Sequence, residues 1–278
     1  MPDWSRSQPA RCSASRSPSR TAPAAPGGLI GTDLVAKAPP DGYTILINSS
    51  AHAIAPALVV RMPYDVATDF VGLAVLSAAP MVLVCNPSLP AQNLGELLEL
   101  LRINPGRVNF AGAGIGSTVH LTGEVFRAAA QVELPIVHYR GGGPALQAVM
   151  SGEVQLTGVT PAEAMAHVRS GTVRALAVGG PTRSKVLPQV PTATEAGLPG
   201  FRQDIWIVAA APARTPPHIV AALNTAFNES VRRLEPRLTE LGLQNKEGVE
   251  TPGQVDTFIR SELERYAAVL RAAGVQPE

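Results

Sequence analysis

The chain has 278 residues, of which 45% are hydrophobic, and a formal net charge of +1. This length allows two domains with separate cores, and the balanced charge, without a basic stripe, argues against nucleic acid or an anionic membrane as a partner. Its two cysteines, Cys12 and Cys85, lie in a polar segment and an apolar segment and predict neither a disulfide framework nor a metal site. No apolar stretch approaches the roughly 18 residues of a membrane span.

Residues 1–26 differ in composition from the rest of the chain. They contain no Val, Ile, Leu or Phe and consist mainly of Ser, Arg, Pro and Ala. Such a segment buries too little apolar surface to offset its ordering entropy, so we expect a disordered or non-native tail. It also lacks the apolar core of a secretory signal peptide.

The first ordered elements are predicted from apolar runs and from the turn residues between them. In chain order they are helix 29–38, strand 43–47, strand 70–76, strand 81–85 and helix 94–103. A small polar loop, Asn48 to His52, follows the first of these strands. Asn93 is placed to cap the second helix, whose leucines recur on one face.

A glycine-rich turn follows the next apolar run. Residues 108–111 predict a strand, glycines stand at 112, 114 and 116, and Ser117 is placed to cap a helix that begins at Thr118. Such a helix start directs unpaired N–H groups and the positive end of the helix dipole at one point, which favours an anion, although many such turns bind nothing. A Rossmann fingerprint, which indicates a dinucleotide site, would need glycine at 117, where Ser117 stands. The nucleophile motif G-x-S-x-G is also absent. A carboxylate is therefore the simplest ligand.

The remaining elements alternate between strand and helix. In chain order they are strand 136–139, a helix to Met150, strand 154–157, a helix to Arg169, strand 173–178, strand 205–210, a helix from 217 to 234, a short helix over 235–242 and a helix over 254–273. This alternation predicts an α/β fold with a mostly parallel sheet, on which ligands bind at the carboxyl ends of the strands.

Several motifs stand in a fixed order between Gly27 and the end of the chain. They are Gly31-Thr32-Asp33, Ala38-Pro39-Pro40-Asp41-Gly42-Tyr43-Thr44, Pro63-Tyr64-Asp65, Asp69-Phe70, Asn109 to Leu121, Tyr139-Arg140-Gly141-Gly142, Arg174-Ala175-Leu176-Ala177-Val178, Val190-Pro191-Thr192 and Glu195-Ala196-Gly197-Leu198-Pro199-Gly200. In these motifs the chain resembles the Bug receptors, the substrate-binding proteins of tripartite tricarboxylate transporters.

The resemblance implies a two-domain periplasmic binding protein-like fold of type II that closes on a small carboxylate. One domain would comprise residues 27–85 plus 209–278, and the other residues 86–208. The ligand-binding residues that we assign on this basis are Asn48, Ser49, Ser50 and His52 in the first domain, and Gly114, Ile115, Gly116, Ser117, Thr118, Tyr139, Arg140 and Val159 in the second.

Some of these residues also have a purely structural interpretation. Ser49 and Ser50 would suit the cap of the next turn, His52 a packed position, and Arg140 a charge in solvent. Val159 aligns best with a position where members of the family often carry an acidic residue. Its apolar side chain favours a plain carboxylate over a ligand with an amino group.

The beginning of the chain departs from the family pattern. Members begin with a signal peptide, a strand that ends in a proline-glycine loop, a helix and a second strand, and residues 1–26 contain none of these. We therefore expect an N-terminally incomplete fold. Our hypothesis is that this segment is an out-of-frame translation of such a strand and turn.

The implied function is that of a receptor without enzymatic activity. It would bind a small organic carboxylate in the periplasm as a monomer, without cofactor or metal, and deliver it to the membrane permease subunits of the transporter. Two alternatives stay open. One is a ligand-sensing protein that signals to a membrane kinase, and the other is a hydrolase or transferase acting at residues 112–117, where the sequence offers no convincing nucleophile and base.

Overall fold

The computed structural model describes residues 28–246, 248–272 and 274–277. The strands are β1 (Leu46–Ser49), β2 (Phe70–Pro80), β3 (Val82–Cys85), β4 (Phe110–Gly112), β5 (Ile136–His138), β6 (Leu156–Val159), β7 (Arg174–Val178) and β8 (Asp204–Pro212). The helices are α1 (Leu29–Ala36), α2 (Ala51–Ile54), α3 (Leu94–Ile103), α4 (Thr118–Ala130), α5 (Gly142–Ser151), α6 (Pro161–Arg169), α7 (Pro217–Glu240) and α8 (Pro252–Ala272). The predictions for the tail over residues 1–26, including the change of reading frame, lie outside the described residues.

These strands form two sheets. The first sheet has the order β1-β8-β2 and is antiparallel throughout. The second sheet has the order β5-β4-β6-β3-β7, in which β4 is parallel to β5 and β6 while β3 is antiparallel to β6 and β7. The α/β class is confirmed. The prediction of a mostly parallel sheet is wrong for the first sheet, whereas in the second sheet four of the five strands run in the same direction and β3 is reversed. Since one residue, Met81, separates β2 from β3, no crossover helix sets the direction of β3.

Backbone hydrogen bonds join the chain where it passes between the sheets. The N–H of Met81 donates to the carbonyl oxygen of Gln203 at 2.9 Å, Gln203 donates to Gly179 at 3.0 Å, and Gly179 donates back to Met81 at 2.8 Å. A side chain at Gly179 does not fit, because its Cβ would lie 2.8 Å from the Gln203 oxygen. The predicted domain boundaries at 85/86 and 208/209 stay predictions.

Two local predictions are wrong in informative ways. The strand predicted over 43–47 begins only at Leu46, and the side chain of Tyr43 is 93% exposed. The helices predicted over 217–234 and 235–242 are one helix, α7, that continues through Pro236. A proline has no N–H and therefore removes one hydrogen bond from a helix. Pro236 lies on an exposed stretch of α7, where water can bind the carbonyl group that loses its partner.

The core lies on both faces of the second sheet and between the first sheet and its helices. Leu94, Leu97, Leu98 and Leu101 bury one face of α3, as their spacing predicts. Asn93 caps that helix through its side-chain oxygen, which accepts the N–H of Glu96 at 3.0 Å. Within the described ranges, no helix has both the length and the apolar content needed to cross a bilayer.

Candidate functional site

The two predicted ligand loops meet through a pair of hydroxyl groups. Ser50 follows β1 of the first sheet, and Thr118 begins α4, which follows β4 of the second sheet. Their oxygens, Ser50 Oγ and Thr118 Oγ1, lie 2.7 Å apart in a hydrogen bond, and both residues are buried. Two residues assigned to the ligand site from distant segments are therefore in direct contact.

The start of α4 is built by glycines and by a capping serine. Gly114 and Gly116 have φ values of 97° and 74°, which a side chain would strain, and the N–H of Ser117 closes the turn on the Gly114 carbonyl oxygen at 3.2 Å. Ser117 Oγ then accepts the N–H of His120 at 3.0 Å. Helix geometry leaves the N–H groups of Thr118 and Val119 without an acceptor inside α4, so these two donors and the Ser117 hydroxyl suit a carboxylate.

Helix α4 lies unusually close to the second sheet. At Gly123 an added Cβ would lie 2.8 Å from a ring carbon of Phe110 in β4, and at Gly158 in β6 it would lie 2.6 Å from a methyl carbon of Thr122. The absence of side chains at these two glycines fixes the height of α4 above the sheet. This close approach also fixes the position of the first turn of α4 relative to the second sheet.

Asn48 and Ser49 hold the shape of the other loop. The Asn48 amide donates to Thr32 Oγ1 at 3.2 Å, and its oxygen accepts the N–H of Ser49 at 2.8 Å. Ser49 Oγ in turn accepts the N–H of Ala51 at 3.3 Å. Asn48 is engaged with α1 and with its own loop, and Ser49 is engaged within the loop, while Ser50 reaches across to Thr118.

His52 is enclosed in α2 and stands edge-on to Phe70, with 5.1 Å between ring centroids. Neither ring nitrogen has a hydrogen-bond partner among the described residues. Burial lowers the pKa of His52 to about 4, because a charged ring loses its hydration there. The ring is therefore neutral at pH 7.

The other assigned residues surround the end of β5 or lie in the core. Tyr139 donates its hydroxyl to Glu153 at 2.8 Å and its N–H to the Gly112 carbonyl oxygen at 2.8 Å. Arg140 is exposed. Val159 pairs with Val82 and is buried in an apolar cluster of the second sheet. Contact of any of these residues with a ligand stays a prediction.

His120 contacts the predicted ligand loop and was not among the residues assigned from the sequence. Its Nδ1 accepts the N–H of Gly116 at 3.3 Å, and its Nε2 lies 3.5 Å from a carboxylate oxygen of Glu124, whose other oxygen binds the guanidinium of Arg127. The i, i+4 spacing of His120 and Glu124 on a predicted helix was the available signal.

The space beside the ligand loop is separate from the Ser50–Thr118 contact. A cavity of about 380 Å³ is lined by Ile115, His120, Glu124 and His138 among others, but by neither hydroxyl residue. Nothing separates the two hydroxyls, so a ligand that bridges the loops needs them to part. Within the described residues, no group of three or more His, Cys, Asp or Glu side chains is placed to hold a metal ion.

Comparison with known proteins decides the family. Residues 21–275 match the model of the tripartite tricarboxylate transporter family receptor. The chain belongs to this family. The protein BugT of Bordetella pertussis is 35% identical over 252 residues, which are 90% of this chain and 77% of BugT. The resemblance to the Bug receptors is therefore confirmed.

Solved structures of the receptor family share the fold. The periplasmic binding protein BugD superposes with a TM-score of 0.84 at 30% identity, over 92% of this chain and 86% of BugD. MatC from Rhodopseudomonas palustris, solved with bound malate, superposes with a TM-score of 0.80 at 32% identity, over 88% of this chain and 84% of MatC. The predicted periplasmic binding protein-like fold is confirmed.

Proposed function

We propose that this receptor captures a small organic carboxylate in the periplasm between two lobes and delivers it to the permease of a tripartite transporter. The lobes are the predicted domains, residues 27–85 plus 209–278 and residues 86–208. The observation that carries the proposal is the Ser50–Thr118 hydrogen bond, which joins one predicted ligand loop to the other. A receptor that works by closure needs such a meeting point of two separate segments.

The chemistry at this meeting point suits a carboxylate. The N–H groups of Thr118 and Val119, the Ser117 hydroxyl and the positive end of the α4 dipole are donors that stabilise negative charge. No buried lysine or arginine is needed, because partial charges of this kind bind small anions in water-excluded sites. MatC binds malate, so dicarboxylates of similar size are the first candidates here.

The arrangement also supports binding without turnover. Both ring nitrogens of His120 are committed, one to the Gly116 N–H and the other beside Glu124, so this histidine is not a base for Ser117. A serine nucleophile needs such a base within hydrogen-bond distance. We therefore propose a receptor that is not an enzyme. We also propose that it acts as a monomer, without cofactor or metal.

Titration calorimetry with monocarboxylates, dicarboxylates and tricarboxylates, malate included, tests the proposal. Malamide is the matched control, since it has the size of malate without its negative charges. We expect one or more acids to bind and the neutral analogue not to bind. The absence of binding to every acid, equal binding of the diamide, or chemical conversion of a bound acid would contradict the proposal.

A further inference from the structure

The ligand loop is attached to a chain of polar groups on the first three turns of α4. The N–H of Gly116 donates to His120 Nδ1 at 3.3 Å, and His120 Nε2 lies 3.5 Å from Glu124. Glu124 is buried, and its second oxygen binds Arg127. The chain of contacts therefore runs from Arg127 through Glu124 and His120 to the loop backbone.

These contacts determine the state of the His120 ring. A ring nitrogen that accepts a hydrogen bond carries no proton, so Nδ1 is bare and the proton of the neutral ring is on Nε2. The Glu124 oxygen that lies 3.5 Å from Nε2 favours a proton on that nitrogen. His138 of β5 stands edge-on to the same ring at a centroid distance of 4.6 Å, which limits the ring's rotation.

We propose that His120 is the positioning residue of the ligand loop. Its bare Nδ1 turns the Gly116 N–H inward, so that the ligand meets the Ser117 hydroxyl and the N–H groups of Thr118 and Val119. This inference rests on the proposed function, and it removes Gly116 from the ligand donors assigned from the sequence. Glu124 selects the required ring tautomer, as carboxylates do for other functional histidines.

Two substitutions separate the two ends of the ring. In His120→Asn the amide oxygen takes the position of Nδ1 and keeps an acceptor for Gly116, whereas in His120→Gln the amide takes the position of Nε2 and keeps only the contact with Glu124. We expect His120→Gln to bind malate about 10-fold more weakly, the factor that corresponds to about 1.4 kcal/mol. We expect His120→Asn to stay within about 3-fold of the parent protein.

Amide hydrogen exchange gives a measurement that does not depend on any ligand. The Gly116 amide of the parent protein and of His120→Asn should be protected, and that of His120→Gln should exchange faster. The imidazole nitrogen shifts of the parent protein at pH 7.5 should show a bare Nδ1 and a protonated Nε2. Equal Gly116 exchange in all three proteins, or a protonated Nδ1, would overturn the inference.

The two proposals fail in different ways. If the parent protein binds no carboxylate, the proposed function is wrong, while the exchange and nitrogen-shift measurements still decide the role of His120. If the parent protein binds malate and His120→Gln binds it equally well, the positioning role is wrong and the receptor function stands. Thermal unfolding of each variant shows whether an affinity change accompanies a loss of fold.

Discussion

Ser50 Oγ and Thr118 Oγ1 lie 2.7 Å apart in a buried hydrogen bond, although 68 positions separate the two residues in the chain. Each hydroxyl belongs to a different predicted ligand loop, one after β1 and one at the start of α4. The two hydroxyls satisfy each other's hydrogen-bonding capacity. A bound carboxylate that bridges the loops would have to compete with this bond.

The first prediction concerns closure without ligand. Removing one hydroxyl, by Ser50→Ala or Thr118→Val, should shift the closed-to-open ratio by about 2- to 10-fold toward the open form, because a buried hydrogen bond contributes about 0.5–1.5 kcal/mol. Small-angle scattering of the unliganded protein should then give a larger radius of gyration. Ser151→Ala is the matched control, since that hydroxyl donates to Ala148 within α5. An unchanged radius in both loop variants would contradict the prediction.

The second prediction separates the two roles of Ser117, which caps α4 and faces the proposed ligand. Ser117→Ala should lose about 0.5–2 kcal/mol of stability together with the cap. Ser117→Asp should keep the cap, because aspartate is a good capping residue. Its negative charge should nevertheless weaken malate binding more than alanine does. Urea unfolding and titration calorimetry on both variants test this, and equal affinities would remove Ser117 from the site.

The third prediction concerns the backbone of the loop. Gly114 has a φ of 97°, and an added Cβ would meet only the Tyr139 carbonyl oxygen, at 3.8 Å. Gly114→Ala should therefore cost about 1–3 kcal/mol through backbone strain and not through crowding. Gly253→Ala in α8 is the control, because no atom lies within 4 Å of its added Cβ and its φ is not positive. The control should be neutral or slightly stabilising.

The fourth prediction concerns the acid stability that follows from His52. Burial lowers its pKa from the ordinary value of 6.5 to about 4, so between these pH values the unfolded chain binds a proton that the folded protein excludes. The contribution of neutral His52 to the free energy of unfolding is therefore complete above pH 6.5 and decreases as the pH falls toward 4. About 2 kcal/mol of the free energy of unfolding should be lost between pH 7 and pH 5. His52→Leu should reduce this part of the pH dependence in urea unfolding. The same slope in both proteins would assign the acid sensitivity to other groups.

Local features of the fold could be predicted because their signals are local. Asn93 and Ser117 cap α3 and α4 as the sequence indicates, since a cap depends on residues only three positions apart. The reversed direction of β3 could not be predicted in the same way. It depends on where the chain passes between sheets, and the short link at Met81 has no distinct sequence pattern.

The site shows the same division. The glycine turn and the capped start of α4 could be predicted from the sequence. The acceptor of the Gly116 N–H could not, because the folded geometry of the turn determines that this N–H reaches His120 Nδ1. The motif resemblance brought the loop after β1 into the prediction. No pattern in either segment indicates that Ser50 would reach Thr118.

Trp206 lies in β8, fully buried, with its indole N–H donating to Glu262 at 3.0 Å and its ring edge-on to Phe258 of α8. The chain contains two tryptophans, Trp206 and Trp4, so no strand of the second sheet carries one. With Trp4 replaced by phenylalanine, intrinsic fluorescence would report on a single indole packed between the first sheet and α8. The receptor thus carries an intrinsic fluorescent reporter of the packing between the first sheet and α8.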